Sequence, residues 1–159
     1  MLLAIVTGQR LGDIGKMKFS DIWDGYLHIE QTKTGARLAI PLSLRCEVLG
    51  MTLEDVVSRC RDRVLSKYLI HHFRSTSSAV RGEAVLDNTI TWAFTQAREK
   101  TGLKWNNGTP PTFHEQRSLA ERLYRDQGID TQRLLGHKNQ AQTDKYNDDR
   151  GKDWMVVEA

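Results

Sequence analysis

The chain has 159 residues, with 23 lysines and arginines against 20 aspartates and glutamates and a formal net charge of +3. That length fits one domain with a sizeable core, and so small an excess of positive charge does not by itself mark a nucleic-acid binder. Cys46 and Cys60 have neither metal-ligand nor disulfide spacing, which fits a reducing cytoplasm, and no Gly-rich phosphate loop, CxxC pair or carboxylate cluster points to a nucleotide cofactor or a structural metal.

The opening "MLLAIVTG" is too short to span a bilayer and reads as the end of a core helix over Leu2 to Val6, stopped at Thr7-Gly8. Leu11 to Met17 reads as a short second helix. From Ser20 the pattern turns to strands. Asp24-Gly25 offers a turn, Tyr26 to Thr32 and Ala36 to Ile40 form paired strands, and Lys33-Thr34-Gly35 connects them. Leu27 and Ile29 alternate with polar neighbours, as do Leu38 and Ile40. Pro41, with no N–H to donate, ends the ladder. Thr52 with Asp55 starts a helix that places Leu53, Val56, Val57, Cys60 and Val64 on one face.

"YLIHHF" is compatible with a short buried strand or a helix edge, and "RSTSSAVRGEA" is a loop. Asn88 to Lys100 reads as a helix with Ile90, Ala93, Phe94 and Ala97 inward, stopped by Gly102. After the break "NNGTPP", Thr112 and Glu115 form a capping box for a helix that buries Leu119, Ala120, Leu123 and Tyr124 and ends at Gly128. A short helix carries Leu134-Leu135, Gly136 turns the chain into His137, and "WMVVEA" favours a strand. The expected fold class is a mostly helical α+β domain with one small antiparallel sheet.

Several polar residues stand out against this frame. His114 and Arg117, three apart, share a helix face near an N-terminus, where free N–H groups and the dipole favour an anion. Arg117 there can grip two phosphate oxygens at once. Arg10 lies between two helices, and Asp13 is placed to hold its guanidinium. Two guanidinium groups meet the extra charge of a pentacoordinate phosphorane. Lys33 sits at a hairpin tip, and His137 follows a Gly-terminated helix. With reference pKa values of about 6.5, His114 and His137 can each be charged or neutral near pH 7. Tyr26, Tyr68 and Tyr124 fit strand or core patterns, whereas Tyr146 lies in a polar setting. His71 and His72 are adjacent and point apart, with no carboxylate placed nearby, so no metal site is expected. Arg74, Arg81, Lys104 and Lys138 are cations able to touch phosphates.

The strings "TGQRLGDI", "QTKTGARLAIP", "PTFHEQRSLAERLY", "LLGHK" and "TDKYNDDRG", in this order, resemble the catalytic domain of tyrosine site-specific recombinases, above all the integrases of lambda-like phages. The resemblance runs from about Leu2 to Trp154. It implies a catalytic set of Arg10, Lys33, His114, Arg117, His137 and Tyr146; beside that set, Asp13 is read as a supporting residue and Arg74, Arg81 and Lys138 as further DNA contacts. Tyr146 would be the nucleophile, Lys33 the proton donor to the departing 5′ oxygen, His137 a phosphate ligand and His114 an aid to proton transfer. The 3′-phosphotyrosine conserves the bond energy of the phosphodiester, so no cofactor, neither ATP nor metal, would be needed.

The implied partner is double-stranded DNA carrying a core-type recombination site, bound by a tetramer of full-length integrase. The isolated 159-residue chain would be a monomer, and no membrane is involved. The implied setting is the bacterial cytoplasm, at the nucleoid. Because the chain opens inside an apolar helix, residues 1–159 are expected to be an N-terminally truncated catalytic domain without the core-binding domain. The C-terminal strand would join the sheet of its own molecule or a neighbour's. Two alternatives remain: a type IB topoisomerase-like enzyme that relaxes supercoils, and a non-catalytic DNA-binding prophage remnant.

Overall fold

A computed structural model describes residues 1–105, 108–137, 139 and 143. Lys138, Tyr146 and the tail "WMVVEA" lie outside them.

The first helix, α1 (Leu2–Thr7), is buried from Leu3 to Thr7. A helix apolar on every side belongs in the centre of a core, and α1 packs against both α3 (Leu53–Cys60) and α5 (Glu115–Asp126). Gly8 ends it in the left-handed conformation, φ 64°. A Cβ there would also stand 2.9 Å from Leu135 Cδ2, so this glycine serves both turn and packing. The second helix, α2 (Leu11–Ile14), is shorter than expected. Met17 enters the core instead, and its carbonyl accepts the Leu69 N–H at 2.9 Å.

Strands β1 (Ile22–Trp23), β2 (Tyr26–Glu30) and β3 (Arg37–Pro41) form an antiparallel sheet in sequence order. Asp24 and Gly25 turn β1 into β2 with φ of 50° and 78°, the paired positive angles that match hairpin twist. Leu27 pairs with Ile40 and Ile29 with Leu38, putting Leu27, Ile29 and Ile40 in the core. Pro41 is the last paired residue, opposite Tyr26. A second antiparallel pair, β4 (Arg45–Cys46) with β5 (Met51–Thr52), was not expected. Strands of two residues leave no period to read.

Thr52 and Asp55 close a full capping box at α3. The helix stops at Cys60, so Val64 is buried from the loop beyond it rather than from the helix face. "YLIHHF" is neither a strand nor a helix edge: it makes isolated bridges from Tyr68 to Lys18 and from His71 to Ala84. Helix α4 (Asp87–Lys100) lies on the surface and corrects the expected face. Ile90 is buried and Phe94 partly so, but Ala93 and Ala97 are exposed. The contact line runs through positions 90, 94 and 98. Phe94 meets Phe113 edge-on at 5.7 Å, and Arg98 Nη1 donates to the Pro111 carbonyl at 2.7 Å.

Helix α5 buries Ala120 and Tyr124 completely, with Leu119 and Leu123 packed beside them. Asp130 caps α6 (Thr131–Leu135) by accepting the Arg133 N–H, and Gly136 ends it at φ 64°.

A candidate phosphodiester-transfer site

The loop before α5 departs from a simple capping box. The Glu115 carboxylate takes the Thr112 N–H at 2.8 Å and also the Thr112 hydroxyl. Thr112 Oγ1 accepts from His114 N at 3.3 Å rather than from Glu115 N. The helix therefore begins at Glu115, and His114 occupies its N-cap position. The exposed His114 side chain and the buried Arg117 line one hollow of about 190 Å³, together with Gln9, Arg10, Leu11, Thr91, Thr112 and Phe113. Three expected site residues, Arg10, His114 and Arg117, thus converge across more than 100 residues of sequence.

Arg117 is only 2% exposed. Its Nη1 donates to the Gly8 carbonyl and its Nη2 to the Leu135 carbonyl, both at 2.6 Å. The ends of α1 and α6 are therefore pinned to one guanidinium, and each end owes its close approach to a glycine. At Gly136 a Cβ would stand 2.9 Å from Gln31 Nε2. Nη2 of Arg117 also lies 3.1 Å from His137 Nε2. A guanidinium only donates, so Nε2 accepts, and the Nδ1 proton donates to Thr143 Oγ1 at 2.9 Å. Burial first, then the positive charges of Arg117 and Arg10, lowers the His137 pKa to about 4. His137 is neutral near pH 7, which decides a protonation state that the sequence left open. Its Nε2 faces Arg117 here, whereas the resemblance implied a bond to phosphate.

Arg10 does not pair with Asp13. Its Nη1 donates to Gln31 Oε1 at 2.9 Å. Asp13, nearly buried, instead accepts the Thr32 N–H at 2.8 Å through Oδ1, while its Oδ2 has no hydrogen-bond partner among the described residues. Asp13 therefore steadies the turn that carries Lys33, not the arginine. Lys33 is exposed on that turn and does not line the hollow.

Gln9 and Gln31 were missed by sequence reasoning. Gln31 is 1% exposed, and Gln9 is 2% exposed. A signal existed for Gln31: it continues the inward face of Leu27 and Ile29 at period two, and a polar residue at an inward strand position is unusual.

The remaining candidates stand elsewhere. Arg74 and Arg81 are exposed and do not line the hollow; Arg81 Nη2 donates to the Arg63 carbonyl at 3.1 Å. His71 does have a carboxylate beside it, contrary to expectation, with Nε2 3.2 Å from Asp62 Oδ1. The long loop brings Asp62 there, which spacing could not reveal. No group of three or more potential metal ligands occurs among the described residues. Tyr124 is fully buried, and its hydroxyl donates to the Val6 carbonyl at 2.9 Å, with its pKa pushed up chiefly by burial. A larger concavity, about 550 Å³, opens on the three-stranded sheet near Trp23, His28 and Arg37; Asp13 is the one expected site residue that lines it.

The site thus combines a buried arginine, a histidine held against it, and a hollow that Arg10 and His114 also line. Residues 1–152 match the model of the phage integrase family, and the chain belongs to that family. It is 65% identical over 158 residues to the integrase of Enterobacteria phage P21, a match covering 99% of this chain and 42% of the relative. Among solved structures it is similar to a lambda integrase dimer bound to a COC′ core site, with a TM-score of 0.85, 42% identity, and coverage of 98% of this chain and 43% of that one. It is also similar to the lambda integrase catalytic core, with a TM-score of 0.76, 43% identity, and coverage of 86% of this chain and 79% of that one. The chain thus spans less than half the length of the curated relatives it matches. Among the described residues, no helix is long and apolar enough to cross a membrane.

Proposed function

We propose that this chain carries the catalytic centre of a site-specific DNA recombinase, which breaks and rejoins strands through a 3′-phosphotyrosine. The observation that supports it most is the convergence of Arg10, His114 and Arg117 on one hollow, with His137 against Arg117. Donors fixed before substrate arrives stabilise charge that develops only in the transition state, and each can contribute about 10²–10³-fold. Arg117 is such a donor, since the backbone holds both of its terminal nitrogens.

In the proposed reaction the Tyr146 phenolic oxygen attacks the scissile phosphorus and loses its proton. The P–O5′ bond breaks, and Lys33 protonates the departing 5′ oxygen. Attack by a 5′ hydroxyl of a partner strand on the phosphotyrosine reverses the chemistry. His114, exposed and lining the hollow, would serve proton transfer to or from the phosphate. Arg10 and Arg117 carry the charge on the non-bridging oxygens, which is work that requires no metal or ATP. The partner is double-stranded DNA bearing a core-type site, held by a full-length tetramer at the nucleoid. The structures of lambda integrase bound to a core site as a dimer, and to a Holliday junction as a tetramer, support that reading. Lys138, Arg74 and Arg81 are the proposed additional phosphate contacts, and residues 1–159 are the proposed catalytic domain.

The test is trapping on nicked duplexes that carry the core-type sites of its relatives. Wild type should form a covalent adduct on a denaturing gel, and Tyr146→Phe should form none while still binding DNA. An undiminished adduct in that variant, or loss of cleavage with EDTA and recovery with Mg²⁺, would overturn the reading.

A further inference from the structure

Hydrogen bonds from the α1–α2 junction, the β2–β3 turn and the end of α6 converge on Gln31, just past β2, a residue that the proposed chemistry does not use. Gln31 Oε1 accepts from Arg10 Nη1 at 2.9 Å and from Thr34 Oγ1 at 2.7 Å. Its Nε2 donates to Gln9 Oε1 at 2.7 Å and to the Leu135 carbonyl at 2.9 Å. An amide side chain has two acceptor sites and two donor hydrogens, and in Gln31 all four are engaged. Gln9 extends the network by donating to the carbonyls of Thr7 and Leu134, each at 2.9 Å. The Leu135 carbonyl that takes Gln31 also takes Arg117.

From this geometry we infer that Gln31 is a positioning residue of the proposed site: it ties the Arg10 guanidinium, the turn of Lys33 and the backbone that holds Arg117 into one unit. The inference rests on the recombinase reading for its consequence, but the tether itself is a property of the folded chain. Without Gln31, Arg10 has no other side-chain hydrogen bond among the described residues. Thr34, one residue past Lys33, would lose the bond that draws the turn toward the arginines. Each bond is short and buried or half-buried, so water replaces none of them without loss of direction. Misplacing a reacting group by about 1 Å can cost roughly 10²-fold in rate.

The test uses the 159-residue chain and Gln31→Met, which keeps volume and removes all four hydrogen bonds. In DNA-free samples, NMR of the arginine side chains should show hindered, distinct Arg10 guanidinium signals in wild type and averaged signals in the variant. In single-turnover cleavage of a nicked core-site duplex, the rate constant should fall about 10²-fold, with DNA affinity within about twofold. A purely structural role would lower the adduct amplitude with the folded fraction and leave the rate constant of folded molecules alone. Unchanged Arg10 signals, or averaged signals with an unchanged rate constant, would overturn the inference. If wild type forms no adduct, the recombinase reading fails instead, and the Arg10 signals alone decide the tether. Should Gln31→Met fail to fold, Thr34→Val removes one tether only. It should slow cleavage of the ordinary substrate and be rescued by a 5′-bridging sulfur, whose departure needs no proton; equal loss on both substrates, or no loss on either, would overturn the claim for the turn.

Discussion

Two parts of the candidate site are built by opposite means. The Arg117–His137 centre is buried, and both terminal guanidinium nitrogens and both imidazole nitrogens are oriented by backbone or by another side chain. The β2–β3 turn that carries Lys33 is exposed and is held from below, by Asp13 on Thr32 and by Gln31 on Thr34. The division follows the proposed chemistry. Stabilising charge demands donors that do not reorganise, whereas delivering a proton demands a group that reaches the leaving oxygen only when substrate is present. One region invests in rigidity and the other in reach.

Substituting Arg117 should break the rigid half most severely. Arg117→Ala removes the proposed transition-state donor, about 10²–10³-fold in cleavage, leaves the Gly8 carbonyl buried without its donor, at about 1–3 kcal/mol, and strips the Leu135 carbonyl of one of its two donors. Arg10→Ala should lose a similar factor in rate with a much smaller loss of stability, since Arg10 is half-buried and hydrogen-bonds a single side chain among the described residues. Single-turnover cleavage alongside chemical denaturation separates the two. Equal stability losses would show that Arg117 is not the structural pin described above.

The reaching half should fail differently. Lys33→Ala should slow cleavage by roughly 10²–10⁴-fold without changing the unfolding midpoint. A 5′-bridging sulfur should restore it but should not restore Arg117→Ala. If both variants remain equally inactive on that substrate, Lys33 contacts phosphate and is not the acid.

The buried histidine sharpens the comparison through pH. Its folded-state pKa of about 4 lies below the ordinary value of about 6.5. The unfolded chain therefore binds more protons than the folded one between those two values. The contribution of neutral His137 is fully present above about pH 6.5 and is lost as pH falls toward 4. Thermal unfolding of wild type should fall across that window more steeply than that of His137→Gln. Parallel curves would mean that His137 is not held neutral. Asp55, Asp62 and Glu115, whose carboxyls are held below their usual range, contribute to both proteins alike.

The smallest effect is a control remote from both halves. Thr52→Ala removes the α3 cap and should cost about 1 kcal/mol, with the cleavage rate constant unchanged. A change in rate would show that α3 couples to the site through α1, against which it packs.

Local physics was legible in the residues. The end of α1 at Gly8, the hairpin at Asp24-Gly25, the capping of α3 and the end of α6 at Gly136 each follow from one or two residues with strong conformational preferences. The candidate set of Arg10, Lys33, His114, Arg117, His137 and Tyr146 could be named from ordered strings and a resemblance, because motif residues keep their spacing along the chain. Partners could not be named in that way. Asp13 reads as a partner of Arg10 three residues away, yet the fold gives it the Thr32 N–H. Arg10 found Gln31, 21 residues on and just past β2, and His71 found Asp62 across a loop. Ala93 and Ala97 face outward because α4 meets the body along a line narrower than its apolar residues allow. The charge of His137 depends on burial and on two arginines brought from distant segments. Spacing sets what neighbours in sequence can do, while desolvation and hydrogen-bond choice depend on which groups reach the same few ångströms, and only tertiary packing decides that.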